Sequence, residues 1–310
     1  MKDLVSISEL SKENIENIFQ ITKEYKERFK DGERKFSDLK GYSILLVFFE
    51  NSTRTRTSFE LAGKILGADT INISSSSSSV KKGENLYDTV KTLEVMNTDF
   101  IILRHYMSGA ASIVGRSVRS RVINAGDGTN EHPTQALLDA FTILEKRGSL
   151  EGLNVAIIGD ILHSRVARSN VKLLKKFGAK ITLCGPITMI PRFASALGAD
   201  YITTDADETV RDKDVVIFLR IQLERQDKPY FSTLNEYSVL YGLNDKRIGL
   251  MRKDTLIMHP GPVNRGVEIK SEFVYGGRSV ILDQVENGLF VRMAVYRYLS
   301  LKDGEKKINS

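Results

Sequence analysis

The chain has little of what covalent cross-linking or metal chemistry requires. Cys184 is the sole cysteine among 310 residues, which excludes an intrachain disulfide and a thiolate zinc cluster. The four histidines, at positions 105, 132, 163 and 259, lack metal-ligand spacing, so no metal site is expected. No apolar run approaches the roughly 18 residues of a membrane span. Met1 leads into charged and polar residues, without the apolar stretch of a signal peptide. These absences together predict a reducing, cytoplasmic setting and no membrane partner. Three catalytic signatures are missing as well: the G-x-S-x-G elbow, the G-x-x-x-x-G-K-[ST] phosphate loop and the H-E-x-x-H metal motif.

Charge of one sign is not concentrated anywhere. The net charge of +6 is modest for this length, and basic residues alternate with acidic ones, as in Lys23-Glu24-Tyr25-Lys26-Glu27-Arg28. That pattern belongs to a solvated helix face, so no nucleic-acid partner is expected. The small basic excess still favours anionic metabolites entering a cleft.

An apolar share of 41% and a charged share of 27% predict a globular protein with a sizeable core. Ser43 to Phe49 is a continuous apolar run of the kind found in buried parallel strands, and further strands are expected at 100–103, 153–158, 180–184, 215–219 and 255–258. Helical spacing recurs at 8–30, 53–67, 133–147, 165–177 and 284–299. In the first of these, Ser11 with Asn14 offers only part of a capping box. Alternation of β and α over the whole length predicts an α/β protein of two doubly wound parallel sheets, joined by interdomain helices. The expected division is 1–148 and 149–283, with a C-terminal helix at about 284–310 packing back onto the first domain.

Glu50 to Thr57 lies where an apolar strand ends and a helix begins. Free N–H groups at a helix start form an anion site, to which Ser52, Thr53 and Thr55 add hydroxyls and Arg54 a planar fork. The alternative is a Ser/Thr cap beside solvated arginines. Ser74 to Ser79 is a run of six serines, by composition a flexible linker. His132 and Gln135, three apart around Pro133, share a helix face at another helix start. Gly159 to Arg165 occupies the place of a dinucleotide loop but lacks the second and third glycines, which disfavours a nicotinamide cofactor. Arg165 reads as a carboxylate or phosphate ligand or as a surface residue. Arg220 and Gln222 follow a strand, where ligand crevices form, although taken alone they read better as a surface loop. His259-Pro260-Gly261-Pro262 is a rigid turn that exposes carbonyls.

Taken in order, these elements resemble the carbamoyltransferase family, and most closely its aspartate-specific branch. Ser52-Thr53-Arg54-Thr55-Arg56 is similar to the family's S-T-R-T-R signature and His132-Pro133-Thr134-Gln135 to its H-P-[TS]-Q motif. Lys82-Gly83-Glu84, Arg104, Arg165, Arg220-Ile221-Gln222 and His259 to Pro262 recur in matching order. The resemblance implies carbamoyl transfer from carbamoyl phosphate to L-aspartate, in pyrimidine biosynthesis, with no cofactor. It implies that Ser52, Thr53, Arg54 and Thr55 bind phosphate, and that Thr55, Arg104 and His132 polarise the carbamoyl oxygen. Gln135 and the backbone near Pro260 and Gly261 would hold the carbamoyl amide. Arg165 would take the α-carboxylate of aspartate, and Arg220 with Gln222 its side-chain carboxylate. Ser78 and Lys82 would come from a neighbouring subunit of a homotrimer, which turns the serine run into the base of a catalytic loop; whether a regulatory chain or a pathway enzyme is a further partner is left open by the sequence. The alternatives are an ornithine or other amino-acid carbamoyltransferase, or a catalytically silent homologue. At Gly261 some relatives have leucine.

Overall fold

The computed structural model describes residues 1–74, 86–222 and 230–301. It divides into two compact units: Met1–Leu137 with the stretch from Asn287 onward, and Leu138–Glu286. The two changes of unit fall inside helices Pro133–Arg147 and Ile281–Ser300, whereas the sequence reading put them at 148/149 and 283/284.

Unit 1 is built on β1 (Ser43–Phe48), β2 (Asp69–Ser74), β3 (Phe100–His105) and β4 (Arg121–Asp127), ordered β2-β1-β3-β4. All three pairings are parallel. Helix α1 (Lys12–Lys30) precedes the sheet. Helix α2 (Thr53–Ile65) follows β1, α3 (Leu86–Glu94) and α4 (Ala110–Ser117) flank β3, and α5 (Pro133–Arg147) follows β4. Leu45, Val47, Ile101, Leu103 and Val122 pack with Ala110, Ala111 and Val114 of α4 into one buried cluster. Strands covered on both faces have no polar face to show, which is why β1 and β3 read as unbroken apolar runs.

Two local expectations are corrected here. The capping box of α1 is complete: the Asn14 N–H donates to Ser11 Oγ at 3.0 Å, and the Ser11 N–H donates to Asn14 Oδ1 at 3.0 Å. Asparagine thus does at the third helical position what glutamate or glutamine usually does. Asn124 to Gly128, whose residue types suggest a turn-rich approach to the helix at Pro133, instead contains the last four residues of β4. The polar side chain of Asn124 is tolerated in a buried strand because its Nδ2 donates to the Val5 carbonyl at 3.0 Å and to Asp127 Oδ1 at 2.8 Å.

Unit 2 repeats the architecture. Its strands are β5 (Asn154–Ile158), β6 (Lys180–Cys184), β7 (Tyr201–Thr203), β8 (Val215–Phe218) and β9 (Leu256–Met258), ordered β7-β6-β5-β8-β9 and wholly parallel. Helices α6 (Arg165–Lys176), α7 (Ala206–Thr209), α8 (Leu234–Tyr241) and α9 (Asp245–Leu250) lie between them in sequence, and α10 (Ile281–Ser300) follows. Its core joins Ala156, Ile158, Val216, Phe218 and Ile257 to Leu243, Met251 and Ile269.

Cys184 ends β6 within this core, fully buried, and burial pushes its thiol up to about 11. Both effects suppress thiolate chemistry. A thiol reagent at neutral pH is therefore expected to leave the native protein unlabelled over minutes and to label one site per chain once urea has unfolded it. Rapid native labelling would contradict this burial.

Candidate active site

In an open parallel sheet, ligands bind beyond the carboxyl ends of the strands where the strand order reverses. In unit 1 that reversal lies between β1 and β3; in unit 2 it lies between β5 and β8. The sequence-selected residues among those described lie at or after the carboxyl ends of strands in the two sheets, at or next to these reversals.

In unit 1 the chain leaves β1, passes Glu50 and Asn51, and enters α2 at Thr53. Ser52 is the N-cap residue, yet its hydroxyl makes no capping bond, and no acidic residue occupies the first turn. The first helical bond is from the Arg56 N–H to the Ser52 carbonyl, at 3.1 Å. A helix normally satisfies its leading N–H groups with a side-chain oxygen or an acidic neighbour. Here the residues that could cap are not used for capping, which favours the anion-site reading over the plain-cap one. Thr53 and Arg54 are exposed, and Ser52 and Thr55 half-buried.

Arg104 is placed beside this turn by register, because its Cα pairs with Phe48, the last residue of β1. Its Nε lies 3.2 Å from Glu50 Oε2 and its Nη1 donates to the Ala125 carbonyl of β4 at 3.2 Å. The guanidinium is thus held from both sides at the reversal point, with its side chain 14% exposed.

His132 and Gln135 open α5, and both are buried. The loop ahead of them is organised by a residue that the sequence reading did not single out. Asp127 accepts from the Gly109 N–H (2.7 Å), Asn124 Nδ2 (2.8 Å), the Glu131 N–H (3.1 Å) and Asn130 Nδ2 (3.0 Å). Glu131 in turn accepts from Ser6 Oγ at 2.5 Å and the Ile7 N–H at 3.0 Å. Gly128 sits in this loop at φ +49°, where a Cβ would lie 2.7 Å from the Ser108 nitrogen, so only glycine fits. The available signal was an acid between two glycines just ahead of a helix start.

Asp127→Asn tests this organisation, since an amide turns one acceptor atom into a donor facing other donors. The expected loss is about 3 kcal/mol of stability, as for breaking a buried charged network. Urea unfolding measures it; a loss below about 1 kcal/mol, the scale of an ordinary hydrogen bond, would remove Asp127 from that role.

In unit 2, β5 runs into Gly159, whose φ of +131° and whose crowding by the Tyr237 hydroxyl (2.9 Å from a built Cβ) favour glycine. Asp160 is fully buried and its two oxygens lie 2.9 and 3.0 Å from His163 Nδ1. Ser164 caps α6 by accepting from the Ala167 N–H at 3.1 Å, and Arg165 is the first helical residue, 4% exposed. A buried arginine at this position is not the solvated surface residue of the alternative reading. Arg220 and Gln222 come straight after β8 and are both half-buried. The Leu219 N–H still donates to the Ile158 carbonyl at 2.8 Å, which ties this segment to the end of β5. Pro260 and Gly261 follow β9, the next strand over, with a cis bond between Gly261 and Pro262.

Unit 1 thus gathers Ser52, Thr53, Arg54, Thr55, Arg104, His132 and Gln135, and unit 2 gathers Arg165, Arg220, Gln222, Pro260 and Gly261. Ser78 and Lys82 lie outside the described residues. Among the described residues no group of three or more His, Cys, Asp and Glu side chains could hold a metal ion, and no helix is long and apolar enough to cross a membrane.

Comparison with known proteins also divides the chain into two domains. Residues 2–145 match the family model described as aspartate/ornithine carbamoyltransferase, carbamoyl-P binding domain, and residues 151–299 match the Asp/Orn binding domain. The aspartate carbamoyltransferase catalytic subunit of Ruminiclostridium cellulolyticum is 54% identical over 96% of this chain and 95% of its own. Among solved structures, aspartate transcarbamoylase from Trypanosoma cruzi in complex with N-(phosphonacetyl)-L-aspartic acid superposes with a TM-score of 0.87 at 30% identity, covering 96% of this chain and 95% of that one. Ornithine carbamoyltransferase from Pyrococcus furiosus gives 0.84 at 27% identity, covering 95% and 96%. With two family models matching in sequence and a relative more than half identical along nearly its whole length, this chain belongs to the aspartate/ornithine carbamoyltransferase family.

Proposed function

We propose that this chain transfers the carbamoyl group of carbamoyl phosphate to the α-amine of L-aspartate, giving N-carbamoyl-L-aspartate and phosphate for pyrimidine biosynthesis. The observation that carries the reading is a cationic sheet edge in each unit: an uncapped helix start with Arg54 and Arg104 in unit 1, and Arg165 with Arg220 beside the reversal point of unit 2. A phosphate dianion and a dicarboxylate call for that charge, and arginine's fork suits both. The name of the Ruminiclostridium relative and the aspartate-bearing ligand of the Trypanosoma structure support the same substrates.

The leading N–H groups of α2, with Ser52, Thr53, Arg54 and Thr55, hold the phosphate. Thr55, Arg104 and His132 donate to the carbamoyl oxygen, and Gln135 with the carbonyls near Pro260 and Gly261 holds the carbamoyl amide. Arg165 takes the α-carboxylate of aspartate, and Arg220 and Gln222 its side-chain carboxylate. The amine nitrogen forms a bond to the carbonyl carbon, negative charge develops on the carbamoyl oxygen, and collapse breaks the carbon–oxygen bond to phosphate. The departing phosphate accepts the amine's proton. Catalysis rests on positioning and on donors fixed in advance around the developing oxyanion.

The second part of the proposal is a cytoplasmic homotrimer in which Ser78 and Lys82 of one copy complete the site of the next. Mixing inactive Lys82→Ala chains with inactive Arg54→Ala chains should restore activity in hybrid trimers, because some sites then receive both intact residues. Hybrids that form and stay inactive would end the shared-site reading. For the reaction itself, carbamoyl phosphate and aspartate should give ureido product and phosphate in equal amounts. Phosphate release without ureido product would contradict transfer.

A further inference from the structure

Beyond the last ladder bonds of β8 and β9, something other than the sheet must hold the two loops that follow. Register pairing joins these strands only as far as Ile217 and Met258. Past that point, one side chain touches both loops. Glu268 Oε1 accepts from the Ile221 N–H at 2.9 Å, between Arg220 and Gln222, and from Asn264 Nδ2 at 2.7 Å. Its Oε2 accepts from the Asn264 N–H at 2.6 Å and lies 3.8 Å from His259 Nε2.

The histidine extends this grip to the turn. His259 Nδ1 accepts from the Gly261 N–H at 2.8 Å, so in the neutral ring Nε2 carries the proton, on the side of the Glu268 carboxylate. The His259 N–H donates to Gln284 Oε1 at 3.0 Å, and Gln284 Nε2 donates to Asp139 Oδ1 at 2.7 Å. Glu268 is anchored through its own backbone, since its carbonyl accepts from the Leu243 N–H at 2.8 Å. It is 1% exposed. Burial pushes its carboxyl up, and the bonds from Ile221 and Asn264 oppose that shift. Burying a carboxylate is costly unless hydrogen bonds compensate it, and here those bonds run to the Ile221 amide and to Asn264, one in each loop.

We propose that Glu268 is a positioning residue for carbamoyl transfer, locking the segment that carries Arg220 and Gln222 to the turn that carries Pro260 and Gly261. The inference rests on the reading that these two segments hold substrate. Glu268 itself touches no reacting atom; it acts through the Ile221 amide, Asn264 and His259.

Glu268→Gln keeps the size of the side chain but sets an NH2 group against donors that the carboxylate accepted. A misplacement of Arg220 and Gln222 by a fraction of an ångström should raise KM for aspartate about tenfold and lower kcat about tenfold. KM for carbamoyl phosphate should change by less than KM for aspartate, because the groups that hold its phosphate belong to unit 1 and only the carbonyls near Pro260 and Gly261 depend on Glu268. A merely structural residue would instead lower the folded fraction, reducing apparent kcat with both KM values unchanged; that outcome would overturn the proposal. Should Glu268→Gln fail to fold, Asn264→Ala removes one contact from the same carboxylate at a half-buried position. It should raise KM for aspartate about threefold, and an unchanged value would likewise overturn the proposal. Turnover of aspartate by the unsubstituted chain is measured alongside: its absence would count against the proposed activity, whereas normal turnover with a flat Glu268→Gln KM would count against the positioning role alone.

Discussion

Arg54→Ala is expected to lower kcat/KM about a thousandfold, with the larger part in kcat. Charged hydrogen bonds contribute about 1.5–3 kcal/mol each, and a bidentate arginine makes two to a phosphate. The helix start alone supplies about 0.3–2 kcal/mol, at most about a factor of thirty. The open end of α2 therefore selects where the phosphate sits, and Arg54 supplies most of the energy. Ser52→Ala serves as the contrast. Its hydroxyl is free of a capping role, so its loss should cost activity about tenfold while leaving thermal stability nearly unchanged. If Ser52→Ala lowered stability by the ~1 kcal/mol of a lost cap and left activity intact, the plain-cap reading would be the right one.

Arg220→Ala is expected to raise KM for aspartate about a hundredfold or more while KM for carbamoyl phosphate changes little, since loss of a bidentate carboxylate partner removes about 3 kcal/mol. Arg220→Lys should recover only part of this, because an ammonium cannot reproduce the planar fork. Equal effects on both KM values would mean that Arg220 supports the fold of unit 2 and does not read the acceptor. The acid beside this segment, Glu268, already accepts from Ile221 and Asn264 and is buried. It is therefore poorly placed to receive the side-chain ammonium that ornithine would bring.

Much of the architecture was legible because buried parallel strands betray themselves as short apolar runs. β1, β5, β6 and β8 were all found within a residue or two for that reason. β4 was missed because Asn124, Gly126 and Asp127 are turn residues by type; pairing with β3 makes a strand of them, and bonds with Val5, Gly109 and Glu131 satisfy their polar side chains. β7, three residues long with Tyr201 and Ile202 exposed, carries too short a pattern to stand out. Within the site, residues at strand ends and helix starts were visible from local context. The supports behind them were harder to see: Asp127 acts mostly through local partners, but Glu131 and Glu268 act through contacts with residues that no single-sequence pattern pairs with them. Glu268 reaches Ile221 across 47 positions, and Glu131 reaches Ser6 across 125. Hydrophobic periodicity reports which face is buried and is silent on which polar atom meets which.

The assignment of a phosphate grip to unit 1 and of a dicarboxylate-reading edge to unit 2 is tested most directly by kcat/KM for L-aspartate and for L-ornithine at saturating carbamoyl phosphate. Arg165 and Arg220 predict a preference for aspartate of at least ten-thousandfold, in line with the rejection of a substrate that leaves charged groups of the site unpaired. Comparable values, or a preference for ornithine, would contradict the assignment of the unit 2 edge to aspartate.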